Sequence, residues 1–217
     1  MDTITWFEES GSTCIFGTDT TRSYLKEEVV SILDVNNGTT NYILERFFRK
    51  DLSEPWEIQD VWNIVKYDSK VERVEENLRF IKMVFPVAEG SQWNGNAFIN
   101  ADTSVAFAGS LVAIYQFWDS NYRYSRVDES EQIGSFNLDS VVTIIQSDTQ
   151  LSDVINYRFS TEKYARNVGL VYKEMRIIES QCCGPQDSMS LSICQALDWE
   201  ERAEKGFKLV QKVIDFN

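Results

Sequence analysis

Apolar and polar residues alternate along much of this chain with a period of two, the signature of strands that bury one face. The clearest local signal is Asn36-Asn37-Gly38. Asn-Gly supplies positive φ at low steric cost and so favours a tight hairpin turn. It lies between Val29-Val30-Ser31-Ile32-Leu33 and Tyr42-Ile43-Leu44-Glu45-Arg46-Phe47-Phe48, both of strand composition, which predicts one long hairpin. Thr3 to Phe7 reads as a strand at the very start, and Ile58 to Tyr67 as another after the break at Pro55.

Asp68-Ser69 predicts a turn, and Lys70 to Pro86 one extended run whose apolar phase shifts between Phe80 and Ile81, a sign of a bulge. Residues 87–110 are loop-rich. Leu111 to Tyr124 then reads as a strand dense in rings, Asp128 to Gly134 as a polar connection, and Phe136 to Gln146 as a strand. Leu151 to Tyr164 predicts a strand leading into a short helical turn at Thr161 to Ala165, and Gly169 to Glu179 a further strand. Residues 198–216 carry two signals. Asp198 with Glu201 forms a capping box, and Trp199, Ala203, Phe207, Val210 and Ile214 fall at helical spacing. Gly206 and the β-branched Val210, Val213 and Ile214 favour instead a helical turn ending near Gly206, followed by a closing strand.

Eight to ten strands joined by short connections predict a single mainly β domain over 1–217. The expected form is an antiparallel meander, either a curved, partly closed sheet (a half-barrel) or a two-layer sandwich, with one or two short helices. A load of 13 Phe, 9 Tyr and 6 Trp strengthens the sheet reading, because aromatic side chains fit pleated surfaces.

Charge narrows the partners. With 21 basic against 34 acidic residues the net charge is −13, which repels phosphate backbones, so no nucleic acid is expected. Anionic membrane surfaces repel it equally. Histidine is absent, which removes the commonest general base and metal ligand. Phosphate loops, nucleophile elbows and Walker motifs are missing, so neither a catalytic residue, a metal nor a cofactor is assigned.

The stretch Tyr164-Ala165-Arg166-Asn167-Val168-Gly169-Leu170-Val171-Tyr172-Lys173-Glu174 resembles a segment of uncharacterised exported proteins and lipoproteins of Bacteroidetes-type bacteria. Trp56 to Trp62, Asn77 to Lys82 and Gly90 to Asn96 are similar to the same group. The resemblance implies a β-rich domain in the cell envelope, periplasmic or on the outer surface, and carries no activity. A strand pattern that begins directly after Met1-Asp2 reads as a chain whose export signal has been removed, any lipid anchor lying outside this sequence; Met1 taken literally gives a cytoplasmic protein instead.

In an exported chain, Cys14, Cys182, Cys183 and Cys194 permit two disulfides, with Cys194 closing a short loop to one of the adjacent pair and Cys14 reaching the other. Free thiols are the alternative. Tyr115, Trp118 and Tyr122, with Trp93 in its Gln92-to-Asn96 loop, are the candidates for a ligand platform, against packing of the sheet as the simpler role. Glu8-Glu9, Glu27-Glu28, Glu75-Glu76 and Asp128 to Glu131 read as solvated surface. These features point to a non-enzymatic binding or scaffolding protein whose partner is a small hydrophobic ligand or another envelope protein. A hydrolase using paired carboxylates is the alternative.

Overall fold

The computed structural model describes residues 1–9, 16–36, 38–107, 110–119, 121–150, 153–180 and 196–216. All four cysteines lie outside the described residues.

Fourteen strands follow in order: β1 (Asp2–Glu9), β2 (Phe16–Asn36), β3 (Thr39–Arg49), β4 (Glu57–Lys66), β5 (Lys70–Glu75), β6 (Leu78–Val84) and β7 (Gln92–Asn94). Then come β8 (Val105–Phe107), β9 (Ser110–Val112), β10 (Asn121–Ile133), β11 (Phe136–Asp148), β12 (Asn156–Ala165), β13 (Gly169–Glu179) and β14 (Lys205–Lys212). Twelve of them form one antiparallel sheet in the order β6-β5-β4-β3-β2-β1-β14-β13-β12-β11-β10-β7, nearly closed into a barrel; β8 and β9 pair separately. Two meanders, β1 to β6 and β10 to β14, therefore join where the first strand meets the last. The seam between the sheet's two ends is stitched chiefly by side chains and loop backbone. Trp93 Nε1 donates to the Ile81 carbonyl at 2.8 Å, Ile81 N to the Gly95 carbonyl at 2.9 Å, and the Tyr124 hydroxyl to the Val84 carbonyl at 2.8 Å.

The mainly β, antiparallel, partly closed reading holds, and so does the hairpin at Asn36 to Gly38, where Asn36 faces Thr39. Other expectations need correction. Among the described residues helix is almost absent. Thr161 to Ala165 is not a helical turn but the end of β12, because β11 and β13 pair with it on both sides. Lys70 to Pro86 is not one run: Glu76 and Asn77, with φ of 48° and 64°, form a two-residue turn between β5 and β6. Asp128 to Gly134 is not a connection, since β10 continues to Ile133, with Asp128 at φ 62° among its bulges. The ring-dense stretch is broken as well, because β9 ends at Val112, a turn carries Tyr115 and Phe117, and β10 starts only at Asn121. The C-terminal segment folds as a turn and then a closing strand. Glu201 Oε2 accepts from the Asp198 N–H at 3.1 Å, completing one half of the capping box.

Alternation sorts the side chains into an outer wall and a lumen. Asp2, Ile4 and Trp6 of β1 face in, with Phe207, Leu209 and Gln211 of β14 and Lys173, Met175 and Ile177 of β13. On the outside, Phe7, Tyr157 and Ile178 hold Trp199 and Ala203 of the 198–203 turn, with Tyr157 stacked on Trp199 at 5.2 Å. Gly206 lets β14 run close to β13. Its φ is +119°, and a Cβ there would stand 1.9 Å from the Ile177 carbonyl oxygen.

Candidate functional site

One end of the lumen is apolar. Met175, Ile177, Phe207 and Leu209 are buried there, and Ile114, Tyr115 and Trp118 of the segment after β9 pack onto them as a plug. Arg158 of β12 fixes that plug: its side chain is buried, and it donates to the carbonyls of Gln116 at 3.1 Å and Ile178 at 3.1 Å.

A belt of polar residues crosses the middle. In register across the sheet stand Ile144, Glu162, Lys173, Gln211, Asp2 and Ser23, from β11 through β12, β13, β14 and β1 to β2. From the far end of the sheet β5 and β6 add Arg73, Glu75 and Lys82. Lys82 Nζ lies 2.9 Å from Glu162 Oε1 and 3.2 Å from Glu75 Oε1, so one ammonium ties β6 to β12 across the interior. Arg73 Nε holds Glu75 at 2.6 Å, Lys173 Nζ stands 3.5 Å from Glu162, and the Tyr164 hydroxyl donates to Glu162 Oε2 at 2.6 Å. Three cations thus enclose two carboxylates. Beyond them Arg46 pairs with Glu27 and Asp60, and Trp62 stands between the guanidinium groups of Arg46 and Arg73, 4.3 and 5.0 Å from its ring.

Burial by itself would push the Glu162 carboxyl up, but Lys82, Lys173 and Arg73 together outweigh it and lower it to about 2. Glu75 is likewise buried, and Arg73 and Lys82 hold it well below the usual carboxylate range. Burial lowers Lys173. Asp2 moves the other way, pushed up by burial despite the hydrogen bond from Gln211. A carboxyl depressed in the folded state contributes stability above its unfolded value and loses it as pH falls. The urea midpoint is therefore expected to drop as pH falls from 4.5, the ordinary glutamate value, to about 2, the folded value of Glu162. Asp2 contributes in the opposite sense, since its neutral-pH cost is relieved on protonation. A midpoint unchanged across that interval would contradict the ion-pair account.

The structure brings the four aromatic candidates to the lumen and its seam, where they pack and do not form an open platform. Trp93 contacts Tyr122 at 6.0 Å and Tyr124 at 4.7 Å while anchoring its loop to β6. Tyr122 is buried, donates to Asn96 Oδ1 at 2.8 Å, and has Gly95 against its ring. Tyr115 packs against Trp118 at 5.6 Å and Phe80 at 5.8 Å. Among the acidic clusters, Glu75 is a correction: its side chain is only 15% exposed and belongs to the ion network with Arg73 and Lys82, not to solvated surface. The disulfide candidates Cys14, Cys182, Cys183 and Cys194 fall outside the described residues.

Sequence reasoning missed the network itself. The signal was present as charge at inward positions of strands: Lys173 stands two before the inward Met175, and Glu162 between the inward Ser160 and Tyr164. No family model, curated protein or solved structure matches the chain.

Proposed function

We propose that the protein is a non-enzymatic interaction protein of the cell envelope that engages a partner protein through the exposed apolar segment of β2. The observation that carries this reading is where the apolar residues sit. Val29, Val30, Ile32, Leu33 and Val35 of β2 and Ile58 and Val61 of β4 are exposed, while the described lumen is occupied by its own plug and ion pairs. Exposed apolar side chains gathered within seven positions of one strand, as at Val29 to Val35, mark an interaction site. Envelope location rests on the resemblance of 164–174 and its companion segments.

Two other readings have less support. General acid catalysis needs a carboxyl kept protonated near working pH, whereas Glu75 and Glu162 share Lys82 and are both driven toward the ionised form. Carriage of a hydrophobic ligand needs apolar room, and Ile114, Tyr115 and Trp118 fill the apolar end of the lumen. The wall formed by β13, β14 and β1 presents Glu174, Arg176, Lys208, Thr3 and Thr5 outward, with Glu200 between Arg176 and Lys208 at 3.2 and 2.7 Å. That is the reverse of the apolar outer band of a membrane-spanning barrel.

A photo-crosslinking residue at Ile32 or Val35, introduced in the native cell, is expected to give a discrete protein adduct. Purified protein is expected to show no saturable uptake of a fluorescent fatty-acyl probe. One-to-one saturable uptake with no adduct from either position would replace this reading with ligand carriage.

A further inference from the structure

We infer that the partner is a second copy of this chain, joined by antiparallel pairing of the two β2 edges about a two-fold axis at Val30. The inference rests on the surface reading above and gives it a partner.

β1 covers β2 only as far as Ser23. From Tyr24 to Asn36 the strand has β3 on one side and, among the described residues, no strand on the other. A row of unpaired backbone donors and acceptors is a template for a further strand. Proteins usually blunt such edges with proline, lysine or bulges. Here 24–36 holds no proline and a single lysine. Bulges are present, between Val29 and Ser31 and between Ile32 and Asp34. They disturb the in-out alternation, and all five apolar side chains emerge: Val29 is 56% exposed, Val30 43%, Ile32 59%, Leu33 61% and Val35 70%. Such an edge is left sticky.

The charges say what fits against it. A two-fold pairing is isologous, so the segment must be complementary to itself. Centred on Val30, antiparallel pairing sets Lys26 of each copy opposite Asp34 of the other, twice over by symmetry. Glu27 then faces Leu33, Glu28 faces Ile32, and no two like charges are opposed. Moving the centre by half a residue toward Ser31 sets Glu27 against Asp34, and moving it by a whole residue sets Glu28 against Asp34, each a like-charge contact made twice. In that pair Lys26 exchanges its exposed contact with Glu28 at 2.9 Å, and its place 4.1 Å from the Phe47 ring centroid, for the carboxylate across the axis.

The test is sedimentation velocity of the whole chain across a concentration series, with charge variants at Lys26 and Asp34. Wild-type protein is expected to reach twice the chain mass. Lys26→Asp and Asp34→Lys, each placing like charges across the axis, are expected to weaken association roughly tenfold. The double variant K26D/D34K restores the opposite pairs and is expected to recover the dimer. Circular dichroism and Tm of each variant report whether the fold is intact; the recovered double variant is its own folding control. A wild-type chain that stays monomeric, or a double variant no tighter than the singles, overturns the inference. If the chain is monomeric while Ile32 still crosslinks to a different protein, self-pairing fails and the surface reading stands.

Discussion

Replacing Glu162 by glutamine is expected to cost the fold about 3–5 kcal/mol, the penalty for removing one partner from a buried ion pair. The side chain is fully buried, and its two oxygens receive Lys82, Lys173 and Tyr164. Glutamine keeps the shape and a hydrogen bond to Tyr164 but removes the charge. Arg73, Lys82 and Lys173 are then left with Glu75, and Arg73 with Glu27 at 3.7 Å. Urea unfolding at neutral pH measures the loss as a lower midpoint at unchanged slope. Adding Lys173→Met removes the cation that faced Glu162 across the strands, so E162Q/K173M should regain part of the stability. Glutamine also mimics the protonated acid, and the variant should show a shallower decline between pH 4.5 and about 2 than wild type. A loss under 1 kcal/mol would mean that water reaches the cluster and that the lumen is not sealed there.

The second large effect is at Gly206. Alanine there meets two obstacles at once: a φ of +119°, which side chains rarely adopt, and the Ile177 carbonyl oxygen 1.9 Å from the new methyl group. Retreat is blocked because Gly206 is paired with Ile178 on one side and Phe7 on the other, in the middle of the sheet. The next residue, Phe207, is fully buried. Gly206→Ala is expected to destabilise by about 4 kcal/mol or more, enough to empty the folded state of a domain with ordinary reserves. Soluble yield and far-ultraviolet circular dichroism report it. A Gly206→Ala protein that melts within a few degrees of wild type would mean that β14 does not run so close to β13.

Those two positions mark what was legible in the residues and what was not. The Asn36–Gly38 hairpin could be read because its turn chemistry is local: Asn-Gly has few other uses. The closing strand could be read because Val210, Val213 and Ile214 resist a helix at Gly206. What escaped was decided by neighbours far along the chain. Glu76 and Asn77 make a turn without glycine, so nothing punctuates Lys70 to Pro86. Thr161 to Ala165 has the composition of a helical turn, yet two paired neighbours hold it extended. Phe117, at φ 63°, takes the left-handed backbone that bulky residues avoid, and lies within the turn that divides the ring-dense stretch in two. The ion network is the extreme case. Its five charged groups come from β5, β6, β12 and β13, and each alone looks like ordinary surface charge.

The adjacency of β1 and β14 also bears on how readily the sheet closes. Asp2 and Gln211 are 209 positions apart, so the edge of β1 that faces β14 is satisfied only by a strand from the far side of the chain. Contacts this distant in sequence make for slow acquisition of the final form and a lengthy exposure to misassembly.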